Sequence, residues 1–265
     1  MRKLAIVNQK GGSGKTTTAV NLAATLVEKG NKVLLIDLDP QASASLWYGF
    51  KDKGQGLFDL FTKEEPLETV IEKTAIEGLY LVPSSPLLAG IERTLTGLGV
   101  EYTLRKKVEM LPSYPWDYLL IDCPPNLGLI SLNALTLADE VLIPVEAHVM
   151  ALHGLVQLLK TIQLVKQKLN KELEILGILP CRVDYRNKHS KEVVEQLKSR
   201  FPGKVFSTCI RENIRLAEAP LHLKPIPLYD PHCKGTEDYR QLAEEIMLSS
   251  ACSVAGASGG AILQR

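Results

Sequence analysis

Short uninterrupted apolar runs alternate along the chain with longer stretches in which apolar residues recur every three or four positions. The short runs are typical of buried strands in a parallel sheet, and the longer stretches are typical of amphipathic helices. The predicted strands are 4–7, 33–36, 79–82, 118–121, 141–145 and 175–179. The predicted helices include 17–28, 152–169, 191–200 and 237–248. This alternation predicts an α/β fold, namely a doubly wound, mostly parallel β-sheet flanked by helices.

The length and composition of the chain fit one domain. Its 265 residues, of which 45% are hydrophobic, are enough for one sizeable α/β core. We therefore predict a single domain over residues 1–248. Residues 249–265 follow the last predicted helix and are rich in Ser, Ala and Gly, so we expect them to form a disordered tail.

Charge and targeting signals narrow the possible surroundings of the protein. The net charge is only +1, so binding to nucleic acid would require a local basic patch. The chain starts without the apolar stretch of a secretory signal, and no apolar run approaches the roughly 20 residues of a membrane-spanning helix. The five cysteines are scattered without a C-x-x-C pair, which is typical of reduced thiols. These features predict a cytoplasmic protein without a membrane partner.

A glycine-rich stretch, Asn-Gln-Lys-Gly-Gly-Ser-Gly-Lys-Thr-Thr, occupies residues 8–17 and is called the glycine loop below. It lies between the first predicted strand and the first predicted helix, where backbone N–H groups can hold phosphate oxygens. We expect Lys15 to reach the β- and γ-phosphates and the Thr16 hydroxyl to coordinate Mg²⁺. A chance glycine-rich turn is the alternative. The predicted nucleotide-binding residues are Lys10, Gly11, Gly12, Ser13, Gly14, Lys15, Thr16 and Thr17.

Three aspartates close two of the predicted strands. Asp37 and Asp39 follow strand 33–36, and alternation along the strand would direct both side chains to one side. Ligands bind beyond the carboxyl ends of parallel strands, so both carboxylates are predicted to face the phosphates. A turn-forming role before Pro40 is the structural alternative. Asp122 closes the apolar run 118–121, as expected of a carboxylate that holds Mg²⁺ through a water.

Residues 182–215, called the basic segment below, carry a local excess of positive charge. The segment contains nine Lys or Arg residues and four acidic residues, whereas the whole chain has a net charge of +1. Such an excess is expected of a surface that contacts DNA phosphates. A solvated helix face is the alternative, because the predicted helix 191–200 also carries glutamates at helical spacing.

Taken together, these motifs resemble those of the deviant Walker A ATPases, the family of ParA, Soj and MinD. The resemblance covers nearly all of residues 3–248 and includes the two-lysine glycine loop, the D-x-D-P-Q motif at 37–41 and the I-D-x-P-P motif at 121–125. It implies that Lys10 crosses a dimer interface to the partner subunit's nucleotide. It also implies that Asp39 positions the attacking water and that Asp37 supports the Mg²⁺ shell. The expected catalytic residues are then Lys10, Lys15 and Asp39, and the expected metal-site residues are Thr16, Asp37 and Asp122.

The same resemblance implies a cycle of nucleotide and partner binding. ATP and Mg²⁺ would be the cofactors, ATP binding would form a homodimer, and the dimer would bind non-specific double-stranded DNA on the nucleoid. Slow hydrolysis, stimulated by a ParB-like or adaptor protein, would drive partitioning of a plasmid, a chromosome or protein cargo. The family's D-x-R and N-x-R-L-x-E-A-P segments identify Arg186 and Arg215 as the candidate DNA contacts, with Lys188 and Lys204 as accessories.

Two other functional classes stay open. A MinD-like membrane-associated positioning ATPase would end in a basic amphipathic helix, whereas residues 249–265 contain one charged residue, Arg265. An ATP-driven metal-cluster protein, akin to the nitrogenase iron protein, would need a cysteine pair that bridges the dimer axis. Cys123 is adjacent to Asp122, but the sequence reveals no second ligand for it.

Overall fold

The computed structural model describes residues 1–51, 56–63, 65–111, 113, 115–148 and 151–252. The strands are β1 (Arg2–Ile6), β2 (Val33–Asp37), β3 (Glu72–Lys73), β4 (Leu79–Val82), β5 (Tyr118–Asp122), β6 (Glu140–Glu146), β7 (Glu174–Val183) and β8 (Ile210–Arg211). The helices are α1 (Lys15–Glu28), α2 (Ser43–Trp47), α3 (Leu57–Thr62), α4 (Ile91–Thr94), α5 (Thr103–Glu109), α6 (Leu129–Leu137), α7 (Ala151–Lys168), α8 (Lys188–Arg200), α9 (Ile214–Glu218), α10 (Ile226–Tyr229) and α11 (Lys234–Cys252).

The strands form one sheet in the order β3-β4-β2-β5-β1-β6-β7-β8. Every neighbouring pair is parallel except β3 and β4, which are antiparallel at the edge. The predicted fold class is therefore confirmed. Because β1, β2 and β5 are neighbours, the glycine loop and the acidic strand ends lie at the same edge of the sheet.

Helices cover both faces of the sheet, which explains why the strands are continuous apolar runs. Along β1, Leu4 and Ile6 belong to the apolar cluster that contains side chains of α1 and α11. The alternate residues Ala5 and Val7 belong to the opposite cluster, which contains side chains of α6 and α7. All four side chains are fully buried. The buried strand β1 therefore anchors the start of the glycine loop in the core.

Element boundaries differ modestly from those predicted. All six predicted strands are present, whereas β3 and β8 were missed because two residues are too few to show a periodicity. Helix α11 continues to Cys252, so it includes the first four residues of the predicted tail. Residues 253–265 lie outside the described residues, and their disorder stays a prediction. Within the described part of the chain, no helix is both long enough and apolar enough to span a membrane.

Candidate nucleotide site and basic surface

The glycine loop lines a cavity of about 830 Å³ at the carboxyl edge of the sheet. Gly12 and Gly14 have φ angles of 74° and 95°, a region that glycine enters without the clash of a Cβ atom. A Cβ atom at Gly14 would also lie 3.5 Å from the side chain of Cys181 on β7, so the loop runs close to that strand. Helix α1 begins at Lys15, and its first backbone N–H groups have no partner within the helix. These free N–H groups make the cavity suited to bind an anion such as a phosphate group.

Lys15 is buried, and most of its donors have no partner among the described residues. The residue is 6% exposed, and its Nζ donates one hydrogen bond, of 3.3 Å, to the carbonyl oxygen of Lys10. Burial lowers the pKa of Lys15, and the nearby carboxylates of Asp122 and Asp39 partly offset that effect. An ammonium group has three N–H donors, so two remain for phosphate oxygens.

Asp122 is fully buried at the end of β5, where it is in register with Asp37 on β2. Neither of its carboxylate oxygens has a hydrogen-bond partner among the described residues. Burial, followed by the nearby Asp37, raises the pKa of Asp122 well above its usual range. The Thr16 hydroxyl is close enough to lower that pKa, although it lacks hydrogen-bond geometry. Unpartnered buried oxygens of this kind fit a hard cation, so Asp122 and Thr16 are suited to hold Mg²⁺.

The structure separates the two aspartates that were predicted to face the phosphates together. One oxygen of Asp37 accepts hydrogen bonds from the backbone N–H and the hydroxyl of Ser45, at 2.8 and 2.7 Å. Its other oxygen accepts from the N–H of Asp39 at 3.2 Å, so the chain turns there and strand alternation ends. Asp39 is half-buried and lines the cavity, whereas Asp37 and Asp122 are both fully buried and are not among the lining residues. The predicted support of the Mg²⁺ shell by Asp37 stays a prediction. Burial raises the pKa of Asp37 to about 6.

The ammonium group of Lys10 forms an ion pair within its own subunit. Its Nζ lies 2.5 Å from Oε2 of Glu146, the last residue of β6. The other oxygen of Glu146 accepts a hydrogen bond of 3.2 Å from Arg182 on β7. The Lys10 side chain remains 43% exposed. A single subunit does not test the predicted contact with a partner's nucleotide, which stays a prediction.

The wall of the cavity opposite the glycine loop was missed by the sequence analysis. It is formed after β7 and around β8, where Ile210, Ile214 and Leu216 line the cavity together with Tyr239 of α11. Apolar and aromatic side chains of this kind are typical of the part of a ligand site that takes a flat organic ring. No local signal marks these residues, because each is an ordinary apolar position far along the chain from the glycine loop.

Arg186 and Arg215, the two predicted DNA contacts, are exposed and already paired with acids. The guanidinium of Arg186 donates two hydrogen bonds to Asp184, at 2.9 and 3.0 Å, and its side chain is 90% exposed. Arg215 lies 2.8 Å from Glu218 and 3.4 Å from Asp230, with half of its side chain exposed. Both arginines follow strands that end at the carboxyl edge of the sheet. Exposed ion pairs of this kind contribute little to stability and can exchange with phosphates.

Among the other basic residues, Lys188 lies close to Arg186, whereas Lys204 lies apart from both arginines. Lys188 begins α8, close in the chain to Arg186, and its side chain is 90% exposed. The backbone of Lys204 pairs instead with Ile178, in the middle of β7. That position is roughly 16 Å from the carboxyl end of the strand at about 3.3 Å per residue. Arg211 forms hydrogen bonds with Asp238, which raise its pKa, so this arginine has a structural partner.

A glycine loop between a parallel strand and a helix, a buried lysine and an unpartnered strand-end aspartate define a P-loop nucleotide-binding protein. Residues 1–175 match the family model described as an AAA domain. The chain is 44% identical over 246 residues to the sporulation initiation inhibitor protein Soj of Bacillus subtilis, covering 92% of this chain and 97% of that protein. It is 41% identical over 251 residues to the chromosome partitioning protein ParA of Caulobacter vibrioides, covering 93% and 94%. The chain belongs to the ParA/Soj family of P-loop ATPases.

A solved structure with the same fold supports this assignment. Cobyrinic acid a,c-diamide synthase from Mycobacterium smegmatis, solved with bound ADP and magnesium, is similar with a TM-score of 0.83 and 33% sequence identity. The similarity covers 96% of each chain. The family and fold expected from the sequence are thus confirmed, and the roles of individual residues stay predictions.

Proposed function

We propose that this protein is a partitioning ATPase in which ATP binding forms a homodimer that binds double-stranded DNA without sequence preference. The observation that carries the nucleotide-binding part of this proposal is the pair of Asp122 oxygens, unpartnered among the described residues, beside the buried Lys15. A magnesium–nucleotide complex offers a cation for these oxygens and phosphate oxygens for the ammonium group. The similarity to Soj and ParA proteins along nearly the whole chain supports the partitioning role. The proposed location is the cytoplasm, in association with the nucleoid.

The nucleotide site assigns one task to each group. Residues 11–17 hold the phosphates through backbone N–H groups, and Lys15 neutralises the β- and γ-phosphates. Thr16 and Asp122 hold Mg²⁺, which supplies positive charge next to the phosphates when it is bound. Asp37, which is in register with Asp122 and bonded to Ser45, supports the Mg²⁺ shell. Asp39, the aspartate that lines the cavity, orients the attacking water.

Dimer formation depends on Lys10 in this proposal. Its ammonium group is at the rim of the glycine loop and is partly exposed, so it can reach a second subunit that docks against this edge of the sheet. The contact with the partner's nucleotide makes ATP a part of the interface. Nucleotide binding and dimerisation then become thermodynamically linked, and each strengthens the other.

DNA binding follows from dimerisation because two subunits present two copies of Arg186 and Arg215. Each phosphate neutralised by these residues releases condensed counterions, so doubling the contacts strengthens binding and steepens its dependence on salt. Contacts to phosphates carry no sequence information, which fits a protein that binds DNA non-specifically. Lys188 adds to the same surface, and Lys204 contributes from a separate position.

Release of DNA requires hydrolysis, which we propose is slow until a ParB-like or adaptor protein stimulates it. Separation of the subunits would then end the joint contacts with DNA. The cargo in this scheme is a plasmid, a chromosome or a protein assembly. Genes adjacent to the one that encodes this chain would indicate which, because a centromere-binding protein marks DNA segregation.

Retention on DNA in three nucleotide states tests the proposal directly. The full chain with Mg²⁺ is passed over immobilised non-specific duplex DNA in ATP, in ADP and without nucleotide, at moderate salt. We expect strong retention in ATP alone, together with a dimer by light scattering. Equal retention in all three states, or a monomer in ATP, would contradict the proposed switch.

One measurement and one structural observation separate the alternatives. Co-sedimentation with anionic liposomes in ATP tests the MinD-like alternative, for which the protein would pellet with lipid instead of binding DNA. The metal-cluster alternative depends on Cys123 reaching a dimer axis. The Cys123 side chain is fully buried and burial raises the pKa of its thiol, so it presents no thiolate at the surface.

A further inference from the structure

The carboxylate of Glu146 lies between two cations that come from the neighbouring strands. Register explains the first contact: Ile6 pairs with Leu142, so Lys10 and Glu146 each lie four residues beyond the same pair. The Lys10 ammonium is 2.5 Å from one oxygen of Glu146, and the Arg182 guanidinium donates to the other at 3.2 Å. The Glu146 side chain is 23% exposed. Offsetting the cost of a fully buried charge therefore does not explain why two cations contact this carboxylate.

The backbone at Arg182 supports a functional reason for this arrangement. Arg182 has a φ angle of 54°, in the left-handed region that a non-glycine residue rarely adopts. It lies where the register between β7 and β8 shifts, between Cys181 and Val183. Strained residues of this kind cluster at functional sites and persist where the surroundings require them. Arg182 also lines the nucleotide cavity, so one residue contacts both that cavity and Glu146.

We propose that Glu146 competes with the partner subunit's nucleotide for Lys10, and so restrains dimerisation until that nucleotide is present. This inference rests on the proposed function, because it assigns a resting partner to the lysine that crosses the interface. In the free subunit Lys10 is held in place by Glu146. To reach the second subunit, the ammonium group must leave that carboxylate, and the triphosphate must bind it more strongly.

Arg182 allows this exchange without leaving an unpaired carboxylate. When Lys10 departs, Glu146 keeps its hydrogen bond with Arg182. Because Arg182 also lines the nucleotide cavity, the two sites share one residue. A ligand with less charge than a triphosphate would compete less well for Lys10. Glu146 therefore raises the free energy that the contact with the partner's nucleotide must supply before the dimer forms.

The first test measures the ion pair without any need for dimerisation. The pKa of Glu146 is determined by NMR titration of carboxyl carbons in the nucleotide-free protein and in Lys10→Gln. At present the Lys10 hydrogen bond lowers the pKa of Glu146, so its removal should raise that pKa. An unchanged pKa would show that the pair does not form in solution and would overturn the inference.

The second test measures the restraint itself. In a non-hydrolysing Asp39→Ala background with ATP and Mg²⁺, the dimer dissociation constant is measured by analytical ultracentrifugation. Glu146→Gln should tighten the dimer roughly two- to fivefold at low salt, the range of a partly exposed ion pair, with a smaller gain at high salt. Glu244→Gln is the matched control. Glu244 lies on α11, and this substitution removes the carboxylate of another close ion pair, the one with Lys29.

The outcomes distinguish the inference from the function on which it rests. If the Asp39→Ala protein dimerises in ATP and Glu146→Gln dimerises equally well or less well, the restraint is wrong and the proposed function stands. If Glu244→Gln tightens the dimer as much as Glu146→Gln, the effect is one of net charge and the restraint is again wrong. If no variant dimerises in ATP, the proposed function fails, and the restraint fails with it.

Discussion

The glycine loop and the basic segment treat their polar groups in opposite ways. At the glycine loop the groups are buried and short of partners: the Ser13 hydroxyl and both Asp122 oxygens have no hydrogen-bond partner among the described residues. In the basic segment the charges are exposed and already satisfied, because Arg186 and Arg215 each pair with an acid of their own chain. Burial of these polar groups therefore carries a free-energy cost at the glycine loop, whereas the ion pairs of the basic segment carry no such cost.

This difference shows how far each region identifies its ligand. Buried groups without partners are costly, so their presence implies a ligand that completes them. Exposed pairs have a small net energy and occur on many surfaces that bind nothing. The structure therefore points to a nucleotide at the glycine loop from the site itself, whereas DNA binding by the basic segment relies on charge and family. The following predictions test that contrast, beginning with the largest expected effect.

Removal of the buried ammonium should have the largest effect. Lys15→Ala is expected to weaken ATP binding by at least about 100-fold, because a charge-assisted contact inside a cavity is lost. Titration with a fluorescent ATP analogue measures the change. Lys29→Ala, which removes a surface lysine paired with Glu244, is the control and should bind normally. Tight binding by Lys15→Ala would refute the phosphate-binding role of this lysine.

Loss of the cavity-lining carboxylate should separate binding from turnover. Asp39→Ala is expected to bind ATP and dimerise while its hydrolysis rate falls by about 100-fold, since general-base positioning contributes on that order. Phosphate release measures turnover, and light scattering measures the dimer. Asp59→Ala is the carboxylate control, because Asp59 lies on α3 and its carboxylate pairs with Lys63. A normal rate in Asp39→Ala would exclude this residue as the water-positioning group.

Neutralisation of the unpartnered aspartate should stabilise the nucleotide-free protein. Burial raises the pKa values of Asp37 and Asp122 above those of the unfolded chain, so the folded state holds more protons between about pH 4 and pH 6. Stability should therefore fall as the pH rises through that range. Asp122→Asn should raise the free energy of unfolding at pH 7, because the amide carries no buried charge, and it should also lose Mg²⁺-dependent ATP binding.

Urea unfolding of the nucleotide-free protein at pH 5 and pH 7 measures both effects. The wild-type midpoint should be higher at pH 5, and the difference between the two pH values should shrink in Asp122→Asn. Saturating Mg²⁺ and ATP should stabilise the wild type by mass action and leave Asp122→Asn nearly unchanged. A variant that is less stable than the wild type without nucleotide would contradict the stored electrostatic cost.

Charge reversal on the basic surface should have a smaller effect. Arg215→Glu is expected to keep ATP-dependent dimerisation and to lose about tenfold in DNA affinity at 0.1 M salt, with a shallower salt dependence. Arg240→Glu is the matched control, because Arg240 is a partly exposed arginine paired with Glu28 away from the basic segment. Unchanged DNA retention in Arg215→Glu would exclude this arginine as a contact.

The smallest effect is expected at Lys204. Its backbone pairs with the middle of β7, away from the edge that carries Arg186 and Arg215, so Lys204→Glu should change DNA affinity less than about twofold at moderate salt. A loss as large as that of Arg215→Glu would show that the DNA surface extends along α8. Filter binding with the same duplex compares the two variants.

The sequence by itself determined the α/β class, all six main strands and the placement of the glycine loop between β1 and α1. Those features are local, because the apolar period and the glycine spacing need no information about distant residues. The family resemblance likewise depended on short motifs. Lys15 and Asp122 were identified because the glycine loop and the end of an apolar strand are visible in one dimension.

Only the tertiary structure decided which groups face the cavity. It bonded Asp37 to Ser45, placed Asp39 in the lining, added the wall around Ile214, and joined Lys10 to Glu146. Each of these contacts joins segments whose meeting depends on strand order, on register, or on where the chain turns after a strand. The apolar period specifies that a strand is buried but not which strand lies beside it, and that is why packing had to settle the rest.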